Sequence, residues 1–228
     1  MTLEYRQFNQ GDNAETCFLW LHGYGANMDD LVALKDVIQV PMDCDWFFLN
    51  GPLSIPISFF MEGRAWFPLD MNRLEAASLA GNTAEVFANS TPPGYLEAVD
   101  KVVDFIKEEL YGYKQILIGG FSQGSMVANR IALRNDKIKM QVLFSTTYFD
   151  HPGWQTFEVT NKNLVGFQSH GKQDMVLPVD AARKMDAYLK NNVSEHMAIE
   201  FDGGHEIPPV VIQTLNHKIS EWHSAGKF

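Results

Sequence analysis

The sequence predicts an α/β protein: a single domain over 1–228, with a mostly parallel central sheet covered by helices on both faces. Three observations predict it. Short apolar runs of strand length alternate with segments of helical spacing along most of the chain. One junction, Ile116-Leu117-Ile118 followed by GGFSQGS, reads as a strand, a glycine-rich turn and the start of a helix. The length, 228 residues, suits one substantial core and is short for two domains; 46% hydrophobic and 20% charged residues are ordinary globular values. Internal repeats, low-complexity tracts and linker-like stretches are absent from the sequence.

In chain order, strands are expected at 3–8 and at 16–21 (TCFLWL), then a helix at 28–39 and a strand at 46–49 (WFFL). The clearest helix covers 95–110, where Leu96, Val99, Val103, Ile106 and Leu110 recur at spacings of three and four. A strand at 115–119 (QILIG) leads into a helix at 124–134. Strands at 141–145 (QVLFS) and 164–169 (LVGFQS) follow, then a helix at 180–191 with Asp180 at its expected N-cap. A strand at 197–201 (MAIEF) and a helix at 209–223 complete the set. Residues 51–94 break the alternation. They carry no clean periodicity yet include Leu53, Ile55, Ile57, Phe59, Phe60, Met61, Trp66, Phe67 and Leu69. A loop so long and apolar inside a compact domain is usually functional, and it is expected to cover substrate at a carboxyl edge of the sheet; satellite core packing without ligand contact is the alternative.

Composition excludes several classes. The net charge of −10, with no cluster of lysine or arginine, argues against nucleic acid and against docking on anionic lipid. No apolar run approaches the ~18 residues of a membrane span, so no integral membrane association is expected. The opening residues MTLEYRQFNQGDNAE lack a basic stretch followed by an apolar one, and the expectation is a cytoplasmic protein without a secretory signal. Cys17 and Cys44 show no metal spacing and are expected to be reduced and buried.

The chemistry gathers around Ser122. Gly-x-Ser-x-Gly at a strand-to-helix turn is a nucleophile elbow, in which backbone segments approach too closely for side chains at Gly120 and Gly124. A serine hydroxyl is a poor nucleophile until a histidine takes its proton and a carboxylate orients that histidine. The strand at 164–169 runs into HGKQDMVLP, which puts Asp174 in a loop at its carboxyl end; the strand at 197–201 runs into FDGGHEIPP, which does the same for His205. The order serine, acid, histidine is the one this architecture uses. Asp150 competes as the acid from a neighbouring loop. His196, His217 and His223 read as surface residues, and His170 as the partner of a local hydrogen bond. A zinc-protease reading of His205-Glu206 fails because Pro209 stands where a second histidine is needed.

The oxyanion of an acyl intermediate needs two donors. The N–H of Gln123, directly after the serine, is one; the glycine-rich loop after 16–21, LHGYGAN, is expected to supply the N–H of Tyr24 as the other. That loop also invites a dinucleotide reading, but Met28 occupies the third glycine position. His22 is expected to shape the loop rather than act as a base.

With these residues in hand, the chain resembles the phospholipase/carboxylesterase family of small α/β-hydrolases, which includes the acyl-protein thioesterases. The resemblance runs from about residue 16 to the C-terminus, through LHGYGAN at 21–27, GRAWFPLD at 63–70, GGFSQGS at 119–125, HGKQDMVLP and GGHEIPP. It implies an α/β-hydrolase fold and a triad of Ser122, Asp174 and His205, with an oxyanion hole from the Tyr24 and Gln123 N–H groups. Trp66 matches a position near the substrate site, and Phe60 and Met61 are candidate substrate contacts. Two departures stand out: Tyr24 replaces the leucine usual in HGLG, and Ser125 replaces the second glycine usual after the glutamine. Both are expected to bear on substrate preference rather than mechanism.

The reading is therefore a serine hydrolase of carboxylic esters or thioesters, working through an acyl-enzyme with no metal and no organic cofactor. Its expected partner is a small-molecule acyl ester or thioester; a lipidated protein or lysophospholipid is the alternative, and a homodimer the assembly to test. A non-catalytic hydrolase-fold binding protein is the competing class.

Overall fold

The computed structural model describes residues 3–10, 14–58, 60–70, 76–77, 80, 91–149 and 157–228. Phe59, Asp150 and much of 71–90 therefore lie outside the described residues. Nine strands are described: β1 Tyr5–Phe8, β2 Thr16–Leu21, β3 Cys44–Leu49, β4 Leu53–Ser58, β5 Met61–Ala65, β6 Gln115–Phe121, β7 Ile138–Phe144, β8 Val165–Gly171 and β9 Glu195–Phe201. The helices are α1 Leu34–Val37, α2 Tyr95–Glu109, α3 Gln123–Ala132, α4 Val179–Asn192 and α5 Pro209–Ser224. Seven strands form one sheet in the order β1-β3-β2-β6-β7-β8-β9. Only β1 runs antiparallel, pairing with β3.

The buried strands send alternate residues to two cores. Cys17, Leu19 and Leu21 of β2 pack with Ile116 and Ile118 beneath α2, α3 and α4. Phe18 and Trp20 pack on the other face with Trp46, Phe144 and the α5 residues Val211, Leu215 and Trp222. A strand buried on both faces must be apolar at successive positions, which is why TCFLWL reads as one continuous run. Cys17 and Cys44 are buried free thiols, and burial pushes the Cys17 thiol far above its ordinary range.

Several expectations need correction. Residues 28–39 form a single helical turn at Leu34–Val37, preceded by turns. The cause is local: Asn27 Oδ1 accepts the Asp29 N–H (2.8 Å), Asn50 Oδ1 accepts that of Met28 (2.8 Å), and successive N–H groups bond three residues back. Short polar side chains here compete with the helix. On α2 the buried stripe is Tyr95, Ala98, Val99, Val102, Phe105 and Ile106, so Leu96 faces solvent and the expected stripe is rotated. Asp180 is not an N-cap; helix α4 starts after Pro178, and Asp180 instead accepts from Arg183 Nη1 (2.8 Å). The expected loop at 51–94 begins with a β4–β5 hairpin outside the main sheet. Pro56 within β4 obscures it, since proline weakens any strand reading.

His196 departs furthest from its expected surface position. It is buried, not on the surface, because β9 begins at Glu195 and carries it beneath α4. Gly166 pairs opposite, and a Cβ there would lie 2.7 Å from His196 Nδ1.

Candidate active site

β6 ends at the centre of the sheet, and Ser122 follows it with φ 52° and ψ −118°, directly before α3. A positive φ on a residue with a Cβ is strained and persists only where its surroundings enforce it. Here they do. The Ser122 N–H donates to Phe144 O of β7 (2.9 Å), and the Ser122 carbonyl accepts from Ser125 N–H (3.0 Å) and Ser125 Oγ–H (2.6 Å). A Cβ on Gly120 would come within 2.5 Å of the Gly124 and Ser125 backbone, and one on Gly124 would overlap the Leu21 carbonyl. The elbow glycines are thus required by contact between β2, β6 and α3.

Two further loops converge on the same end of the sheet. After β8, Asp174 sits in a tight turn: its Oδ1 accepts the N–H groups of Val176 (2.8 Å) and Leu177 (2.9 Å). Its Oδ2 accepts from His205 Nδ1–H (2.7 Å), in the loop after β9. Burial raises the Asp174 carboxyl, but the His205 hydrogen bond and charge and the Leu177 N–H outweigh it, and the net direction is down. An ionised carboxylate only accepts, so the Nδ1 proton is fixed and Nε2 is the free ring nitrogen. The loops are stitched together by Lys172 N–H to Phe201 O (2.9 Å) and Gln173 N–H to Gly203 O (3.0 Å).

Ser122, His205 and Tyr24 line one cavity of about 250 Å³, with Leu69, Met126 and Leu177 as apolar walls. Gln123 and Gly23 line it too. Neither the Tyr24 N–H nor the Gln123 N–H has an acceptor among the described residues. The Gln123 side chain does something its sequence position did not advertise. Its Oε1 accepts the Trp66 N–H and its Nε2 donates to Phe67 O, both at 2.8 Å and both buried.

The remaining candidates fall elsewhere. Trp66 is buried, and its Nε1–H donates to His22 O (2.8 Å); it lies outside the residues lining the cavity. Phe60 (94% exposed) and Met61 sit at the hairpin's turn, outside the residues lining the cavity. Ser125 is wholly buried with its hydroxyl turned back to the elbow, so the expected influence on substrate has no contact behind it. His22 Nε2 accepts from the Gly51 N–H (2.9 Å), so its Nδ1 carries the proton and donates to Gly23 O (2.7 Å). Burial lowers its pKa to about 4. It joins the Gly23–Gly25 loop to the β3 exit as a neutral brace. His170 does make a local bond, from Nε2–H to Leu177 O (2.8 Å). Among the described residues no group of histidine, cysteine and carboxylate side chains is placed to hold a metal.

The sheet order, the elbow after its central strand and the loops that follow define an α/β-hydrolase. Within that class, the chain belongs to the phospholipase/carboxylesterase family, whose model matches residues 8–223. It is 26% identical over 202 residues to acyl-protein thioesterase 1 of Candida albicans, covering 79% of each chain. Among solved structures, esterase PE8 superimposes with a TM-score of 0.77 at 24% identity, covering 97% of this chain and 99% of that one. The carboxylesterase of Bacillus cereus gives 0.74 at 15% identity over 96% and 94%. Acyl-protein thioesterase 2 of Zea mays gives 0.66 at 17% identity over 99% of both. These structural likenesses bear on the fold.

Proposed function

We propose that the protein hydrolyses carboxylic esters or thioesters of short to medium acyl chains, through an acyl-enzyme on Ser122. The observation that carries the reading is His205, its tautomer fixed by Asp174 behind it, lining the same cavity as a strained serine. His205 Nε2 takes the Ser122 proton as the hydroxyl attacks the acyl carbonyl, and Asp174 stabilises the resulting imidazolium. The oxyanion rests on the N–H groups of Tyr24 and Gln123, which have no competing acceptor among the described residues. His205 then protonates the departing alkoxide or thiolate, and water releases the acyl group by the same route.

Chain length follows from volume. A cavity of about 250 Å³ is smaller than the ~300–1,000 Å³ of sites for drug-sized ligands. Its walls, Leu69, Met126, Val176 and Leu177, suit an alkyl chain rather than a sugar or peptide. With p-nitrophenyl esters, kcat/KM is expected to be higher for butyryl and hexanoyl than for palmitoyl. Ser122→Ala is expected to abolish this turnover and labelling by a fluorophosphonate probe. Full turnover by that variant would overturn the reading.

The resemblance to acyl-protein thioesterases supports a second substrate class, a long-chain thioester on a lipidated protein. A palmitoyl-thioester peptide cleaved faster than the butyryl ester would favour it.

A further inference from the structure

His170 has no part in the mechanism above, yet it touches the carboxylate at its centre. Its side chain is almost wholly buried, and its Nε2 lies 3.4 Å from Asp174 Oδ2, the oxygen that also accepts from His205. Because Nε2–H donates to Leu177 O at 2.8 Å, the proton is on that nitrogen, and the polar N–H edge of the ring lies beside the carboxylate oxygen. A closed circuit results. The Leu177 N–H donates to Asp174 Oδ1, the Leu177 carbonyl accepts from His170, and His170 faces Asp174 Oδ2. Leu177 in turn is a wall of the acyl cavity.

On its far side His170 faces a second, small cavity of about 80 Å³ beneath α4. There His170 Nδ1, Gln168 Oε1 and Asp186 Oδ1 are buried polar atoms without hydrogen-bond partners among the described residues, Asp186 Oδ1 lying 3.7 Å from His196 Nε2. Three buried polar atoms around a space of that size suit an ordered water, which would donate to the Nδ1 lone pair. The charged groups on this side are already engaged: Arg183 binds Glu200 in bidentate fashion (2.7 and 2.8 Å), and Asp186 binds Lys190 (2.8 Å). The charges that face His170 on the other side are Asp174 and, when protonated, His205. Burial is the main influence on His170 and lowers its pKa, so it stays neutral.

We propose that His170 is a positioning residue for Asp174, a neutral second donor that fixes the carboxylate toward His205 and draws off part of its charge. This rests on the serine-hydrolase reading of the site. Without that donor, Asp174 becomes a stronger acceptor, the His205 imidazolium is stabilised, and less acid is needed to protonate the base and inactivate the enzyme. Equivalently, the acid limb of the kcat/KM profile moves to higher pH.

The test compares His170→Leu, which fills the space without a donor, with His170→Gln, whose amide can restore one, on p-nitrophenyl butyrate. For the leucine variant we expect kcat to fall about tenfold, within the ~10–100-fold range of lost supporting contacts, with KM nearly unchanged. Its acid limb should rise by about half a pH unit, and glutamine should return it toward the parent. A fall in kcat with the limb unmoved, or glutamine behaving as leucine does, would overturn the proposal by reducing His170 to packing. Should the leucine variant not fold, His170→Asn, too short to reach the carboxylate, takes its place with the same two outcomes. Ser122→Ala run alongside separates the two readings: an active alanine variant sinks the hydrolase itself, whereas an unmoved limb sinks only the role of His170.

Discussion

Gln123 divides its work between backbone and side chain. Its N–H has no acceptor among the described residues, while its amide holds the Trp66 N–H and the Phe67 carbonyl at 2.8 Å each. The sequence points to the first, because the residue after an elbow serine is expected to present its N–H there. It hid the second, because residues 66 and 67 lie 57 and 56 positions away in sequence. In Gln123→Ala the backbone donor survives and two buried groups lose partners, at about 1–3 kcal/mol each. Thermal unfolding should fall clearly, while fluorophosphonate labelling of the folded variant continues. A variant as stable as the parent would show that the Gln123 amide does not clamp residues 66 and 67. Asp174→Asn makes the opposite separation. The fold is retained but the His205 tautomer is no longer imposed, and kcat should fall by roughly 10³–10⁴-fold with little change in melting temperature.

Among the elements, strands buried on both faces and the helices after Gly94 were legible because each has one dominant period or one continuous apolar run. The β4–β5 hairpin was not, and neither was its contact with the loop after β2. That contact is close: Gly25 N–H donates to Arg64 O (2.9 Å), Arg64 N–H donates to Ala26 O (2.7 Å), and a Cβ on Gly63 would overlap the Gly25 carbonyl. A glycine at 63 therefore sets how near the hairpin comes to the Gly23–Gly25 loop that carries Tyr24. In Gly63→Ala the hairpin must move off the loop, at about 1–3 kcal/mol for an overpacked contact. Since the hairpin lies outside the main sheet, most of this cost should appear as displacement of Tyr24. The expectation is a fall in kcat of tenfold or more with a melting temperature only a few degrees lower. The reverse pattern, full activity with a large loss of stability, would mean that the hairpin does not position the donor.

At the scale of the molecule, the buried histidines couple the fold to pH. His22 braces the Gly23–Gly25 loop and His196 fills the space left by Gly166; burial lowers the pKa of each to about 4. In the unfolded chain both titrate near 6.5. Between those values the unfolded state binds more protons than the folded one, so stability is complete above about pH 6.5 and is lost as pH falls toward 4. From pH 7 to 5 each histidine should withdraw about 2 kcal/mol, roughly 3–4 kcal/mol together, against a typical total of ~5–15. Asp174, held below its usual range by His205, acts in the same direction at lower pH still. Urea midpoints should therefore drop steeply from pH 7 to 5, and His196→Gln should flatten about half of that slope. Because the His22 brace supports the Gly23–Gly25 loop and His196 lies under α4, the first loosening in acid should be detected by hydrogen exchange at those two places. A urea midpoint constant across this range would show that neither histidine is held neutral by the fold.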